Sequence, residues 1–104
     1  MSKQEFYGHP QFYKIIEELK QLHSDKNHDY SGEKDPLRNL RQCEDMGIEA
    51  WKGVAVRLTD KMDRIKSYAQ KGQFKVGGEG LRDTFKDMAV YSILGLILFD
   101  ESQK

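Results

Sequence analysis

The stretch 51–70, WKGVAVRLTDKMDRIKSYAQ, reads as one long helix, and it constrains the rest of the chain more than any other segment does. At about 100° per residue, Trp51, Val54, Ala55, Leu58, Met62, Ile65 and Ala69 fall in one arc about 100° wide, which predicts a core-facing stripe. Directly beside that stripe, Arg57, Asp60, Lys61, Arg64 and Tyr68 recur at the same spacing. Lys52, Thr59, Asp63 and Lys66 lie on the far side, where a surface helix normally keeps its charges. Cations on the flank of a buried face are placed to meet an anionic ligand. The alternative for them is to lie solvated, with their stems over the core edge.

The 104 residues predict one domain over 1–104, near the size at which assembly adds burial, so an oligomer is expected. Seventeen basic and seventeen acidic residues cancel. No whole-chain field therefore favours DNA, and anion recognition has to come from local clustering. One cysteine, Cys43, cannot form an internal disulfide, and no secretory leader pattern opens the chain; both fit a reducing cytoplasm, that of a host if the chain is viral. The longest apolar run, 88–99, is interrupted by Tyr91, Ser92 and Gly95 and is too short to span a bilayer, so no membrane partner is expected.

In chain order, Gly8, His9 and Pro10 mark the start of a first helix, with Pro10 in its first turn. Phe12, Ile15, Ile16, Leu19, Leu22 and His23 follow at helical spacing, and Glu17 and Glu18 serve solubility and pairing with Lys14 and Lys20. The segment 24–35 is rich in turn formers, with little to bury apart from Tyr30, and is expected to be a loop of about a dozen residues. It carries Lys26, Asn27, His28, Asp29 and Tyr30, a set suited to hydrogen-bonding a polar ligand. No second histidine or cysteine stands at a metal spacing from His28, which reads as a hydrogen-bonding or exposed side chain.

Asp35 and Pro36 predict a helix start, and a short helix to about Met46 should end at Gly47. Leu37, Leu40 and Cys43 would face inward, while Arg38, Asn39 and Arg41 stay polar. Gly72 should end the long helix. The following 73–80, QFKVGGEG, reads as a flexible connection; it lacks the lysine-serine or lysine-threonine ending of a phosphate-cradling P-loop.

The last helix, 81–99, stacks Leu81, Phe85, Met88, Ser92, Leu96 and Phe99 on a core arc, with Asp83, Asp87 and Tyr91 on a neighbouring one. Two carboxylates four residues apart repel unless a cation lies between them. Mg²⁺, which is satisfied by one or two aspartates plus ligand phosphates, would serve, and so would the cations of the long helix. Val90, Leu94 and Leu98 lie off the core arc and predict a subunit interface. The expected fold is all-α: a small bundle of three long helices and one short one, oligomeric.

The run KNHDYSGEKDPLRNLRQCEDMGI, then GVAVRLTDKMDRI, then LRDTFKDMAVYSILGL resembles the phage-borne family called nucleotide modification associated domain 1 over roughly residues 22–99. On this resemblance Lys26, Asp29, Tyr30, Asp35, Asn39, Arg57, Asp60, Lys61, Arg64, Asp83, Asp87 and Tyr91 match the family's motif positions. Lys26, Asp29, Tyr30, Asn39, Arg57, Asp60, Lys61, Arg64 and Tyr91 are the expected ligand-binding set, and Asp83 and Asp87 the expected metal pair. The family is in turn similar to the MazG-like all-α nucleoside triphosphate pyrophosphohydrolases, which are Mg²⁺-dependent oligomers. That pattern has two adjacent glutamates, a third three residues on, and later a glutamate three before an aspartate. Here Gln21 follows Glu17 and Glu18, and Thr84 precedes Asp87. Two classes follow: a phage protein that binds and sequesters a phosphorylated nucleoside, such as a nucleotide signal of anti-phage defence, and a Mg²⁺-dependent pyrophosphohydrolase.

Overall fold

Two glycines in the left-handed region, Gly47 (φ 77°) and Gly72 (φ 74°), close the middle helices of a computed structural model that describes residues 5–28, 35–72 and 80–104. A side chain at these φ values would be strained, which is why glycine stands at both helix ends. The Gly72 amide donates to the Tyr68 carbonyl at 2.7 Å and the Gly47 amide to that of Glu44 at 3.0 Å. Four α-helices follow in order: α1 (Pro10–His28), α2 (Arg38–Arg41), α3 (Ala50–Lys71) and α4 (Leu81–Ser102), with a 3₁₀ turn, Gln42–Met46, running on from α2. No strand occurs among the described residues, so the chain is all-α, with three long helices and one short one.

The chain divides into two compact units, 1–32 and 33–104. In the first, α1 starts at Pro10 as expected, and the residues before it fold back on its first turn. The Tyr13 hydroxyl donates to the Tyr7 carbonyl, and the Phe6 and Tyr13 rings lie 5.1 Å apart. The expected loop over 24–35 is shorter than its composition suggested, because α1 continues to His28. Neither glycine nor proline interrupts 24–28, Gln21 Nε2 donates to Asp25 Oδ1 at 2.8 Å, and Asn27 Nδ2 donates to the His23 carbonyl at 2.9 Å. Lys26 and His28 in the last turn also complement the helix dipole. The remaining loop residues, Asp29 and Tyr30 among them, lie outside the described residues, as does the glycine-rich connection 73–79.

The second unit is an antiparallel hairpin of α3 and α4, with α2 across one end. Leu37, Ala50, Val54 and Leu98 form its core, and Leu40, Trp51, Tyr91 and Leu94 pack against them. Gly95 of α4 faces Val54 of α3 at close range: a Cβ on Gly95 would lie 3.2 Å from Val54 Cγ1. Val54 and Leu98 are only 2% and 3% exposed. Val90, Leu94 and Leu98 are therefore not the exposed interface the sequence suggested, since Leu98 is core, Leu94 packs on it and Val90 is half-buried.

The apolar stripes are correspondingly rotated. On α3, Ala55, Met62 and Ala69 of the expected core arc are exposed, and on α4 so are Phe85, Ser92, Leu96 and Phe99. A helix in a two-helix contact buries a seam narrower than a 100° arc. Here the seam on α3 runs through Ala50, Val54, Leu58, Lys61, Ile65 and Tyr68, and on α4 through Thr84, Met88, Tyr91, Gly95 and Leu98, all buried or half-buried. The remainder of each stripe stays on the side where the Trp51 and Phe99 rings meet edge to face at 5.6 Å.

Candidate functional site

Three cross-helix contacts set the hairpin register. Trp51 meets Phe99, Arg57 meets Tyr91 and Lys61 meets Asp87. Each turn forward along α3 corresponds to one turn back along α4. By that register Arg64 and Asp83 share the next level, towards the open end of the hairpin. The Trp51–Phe99 contact occupies one edge of the hairpin. At about 100° per residue, Arg57, Asp60 and Arg64 on α3 and Asp83 and Asp87 on α4 project along the opposite edge.

Within this edge the chemistry is graded. The Lys61 ammonium lies 3.1 Å from Asp87 Oδ2, with the two side chains 17% and 31% exposed; partial burial makes this pair stronger than a solvated one. One turn along, the Arg57 guanidinium comes within 3.5 Å of the Tyr91 hydroxyl, and its carbon lies 6.0 Å from the ring centroid, within cation–π range. Tyr91 thus touches the apolar core with its ring while its hydroxyl reaches the charged edge. Arg57, Asp60, Arg64 and Asp83 are exposed and accessible to a ligand.

The structure therefore brings Arg57, Lys61, Asp87 and Tyr91 into direct pairs and puts Asp60, Arg64 and Asp83 on the same edge. Asn39 is exposed on α2. Lys26 lies in the last turn of α1, in the other unit. Asp87 is engaged by Lys61, and among the described residues no group of three or more histidine, cysteine, aspartate or glutamate side chains is placed to hold a metal ion. A protein-only Mg²⁺ cage is thus not assembled by these side chains; any Mg²⁺ would need phosphate oxygens from a ligand to complete its shell.

A second charged junction, which the sequence reading left merely polar, closes the α2 end. Arg41 donates through Nε to Asp35 Oδ2 at 2.6 Å and through a terminal nitrogen to Glu101 Oε2 at 2.8 Å. Asp35 Oδ1 also accepts from the Leu37 amide at 3.0 Å. That amide first, and Arg41 second, hold the Asp35 carboxyl below its ordinary value, while Asp35 and Glu101 raise Arg41. The junction ties the start of α2 to the end of α4. Only the helix-start motif at Asp35 and Pro36 was visible in sequence; Glu101, sixty residues from Arg41, carried no local signal.

Among the described residues no helix is long and apolar enough to cross a membrane. Neither a curated protein nor a solved structure matches the chain. A family model does match, over residues 43–99, a span that contains α3, the charged edge and nearly all of α4. The chain belongs to the nucleotide modification associated domain 1 family.

Proposed function

We propose that the charged edge of the α3–α4 hairpin binds a phosphorylated nucleoside, with Arg57, Lys61 and Arg64 on the phosphates and Tyr91 beside the sugar or base. The observation that carries this reading is the succession of cations one turn apart along an edge that also presents the Tyr91 hydroxyl. Guanidinium groups match phosphate oxygens in a planar fork, and charge-assisted hydrogen bonds outweigh neutral ones. The family name, which ties the domain to nucleotide modification, points the same way. Asp60 and Asn39 are available as acceptors and donors for ribose or base. The role we assign is sequestration of a nucleotide by a phage-type cytoplasmic protein. Assembly of several chains belongs to the same reading, supported by the apolar side chains α4 leaves exposed.

Arg64→Ala tests the phosphate role. It should cost about 1.5–3 kcal/mol of affinity, roughly ten- to hundredfold in Kd, in calorimetry against the best ligand from a panel of nucleoside mono-, di- and triphosphates and cyclic nucleotides. Lys66→Ala, across the helix, should cost almost nothing. Equal losses would indicate general attraction, which fades with salt. No loss in Arg64→Ala would make the edge a solvated flank.

A Mg²⁺-dependent, MazG-like pyrophosphohydrolase is the second reading, favoured by the spacing of Asp83 and Asp87 on one face of α4. In it Asp83 and Asp87 would hold Mg²⁺ together with the phosphates of a triphosphate, which the ion would polarise for attack by water, and Lys61 would pair with phosphate. Release of pyrophosphate from any triphosphate in the panel, dependent on Mg²⁺ and absent from Asp87→Asn, would establish it.

A further inference from the structure

α4 has a third surface, turned away from both α3 and the charged edge. Arg82, Lys86, Ala89, Ile93, Leu96 and Asp100 recur along it at spacings of four, three, four, three and four, the repeat that keeps one seam of a helix against a partner helix. Ile93 is 50% and Leu96 60% exposed, and between Asp87 and Asp100 the sequence carries no charged residue on any side of α4. The seam is basic at its N-terminal end, apolar in the middle and acidic at its C-terminal end.

We propose that this outer face of α4 is a two-fold interface with a second copy of the chain, the two α4 helices running antiparallel. The charge pattern selects both partner and direction. Aligned in reverse, the seam sets Arg82 against Asp100, Lys86 against Leu96 and Ala89 against Ile93. Opposite charges meet at both ends, and a small residue meets a large one in the middle. A parallel pair would oppose Arg82 to Arg82 and Asp100 to Asp100. A self-complementary pattern of this kind is what an isologous contact requires. The 19 residues from Arg82 to Asp100 span about 28 Å, and the exposed Ile97 flanks the seam. The charged edge bearing Arg57 and Lys61 lies elsewhere on the hairpin, so each subunit keeps its own edge open.

The inference rests on the assembly part of the proposed function and is independent of the nucleotide part. Sedimentation equilibrium of the full chain at micromolar concentration should give twice the chain mass. Ile93→Glu, which puts two carboxylates near the centre of the seam, should return the mass to that of one chain with the helical circular dichroism unchanged. Arg82→Glu and Asp100→Arg should each shift the dimer dissociation constant upward at least tenfold, and the double exchange should restore most of the loss. A wild-type monomer overturns both assembly and this face. A wild-type dimer that Ile93→Glu leaves intact, or a double exchange no better than the single ones, overturns this face and leaves assembly standing.

Discussion

Asp87 is the residue at which the two functional readings diverge most sharply, because its carboxylate neutralises Lys61 across the hairpin. Replacing it by asparagine removes one charge and almost no volume. If the edge binds phosphate through its cations alone, Asp87→Asn leaves Lys61 with its full charge for the ligand, and metal-free affinity should rise several-fold in calorimetry. If Asp87 holds Mg²⁺ with Asp83, the same variant should lose Mg²⁺-dependent turnover. In either case the folded state loses a partly buried ion pair worth about 1 kcal/mol. For a chain of this size that lowers Tm by roughly 4–8 °C, which thermal unfolding followed at 222 nm will read. The charges on this edge were legible from helical spacing within α3 and α4. Their partners were not, since Lys61 and Asp87 stand 26 positions apart and no local pattern couples them.

Between elements, close approach is set by glycine. A Cβ on Gly53 would lie 2.7 Å from the Cys43 sulfur, so the 3₁₀ turn sits against a bare stretch of α3 backbone. Alanine at a helix interior is ordinarily worth about 1 kcal/mol over glycine, yet overpacking costs about 1–3 kcal/mol. Gly53→Ala should therefore destabilise by about 1 kcal/mol in urea unfolding. In a Cys43→Ala background the same change should become neutral or stabilising, because the sulfur it strikes is gone. Gly53 had no reading of its own in the sequence: a glycine inside a helical pattern only lowers propensity until the neighbour that needs its space is known. The glycines that end helices were readable, because the left-handed backbone at Gly47 and Gly72 is a local requirement.

For the whole molecule, Arg41 joins α2 to the end of α4 through Asp35 and Glu101. Arg41→Ala should lower stability by about 1 kcal/mol, in line with a paired, partly exposed charge, without changing the helical content. Its pH dependence has a definite sign. The Asp35 carboxyl titrates below its unfolded value, so its contribution is fully present above about pH 4 and is lost as pH falls through the lower folded value. The Tm difference between the wild type and Asp35→Asn should hold steady from neutral pH to about pH 5 and shrink towards zero below about pH 4. A difference that grew on acidification would contradict the pairing.

What the sequence by itself determined is what short-range physics controls: an all-α chain, the helix starts at Pro10 and near Asp35, the stops at Gly47 and Gly72, and a cationic flank beside an apolar stripe on α3. Each follows from a spacing of three or four residues or from one backbone conformation. The tertiary structure alone decided which part of each stripe turns inward. The rotation of α3 against α4 puts Val54 on Gly95. That rotation buries Leu98 instead of Leu96, brings Arg57 to Tyr91 and Lys61 to Asp87, and leaves Ile93 facing outward. Periodicity specifies a helix's apolar side to within about a third of a turn, whereas the seam two helices bury is narrower than that.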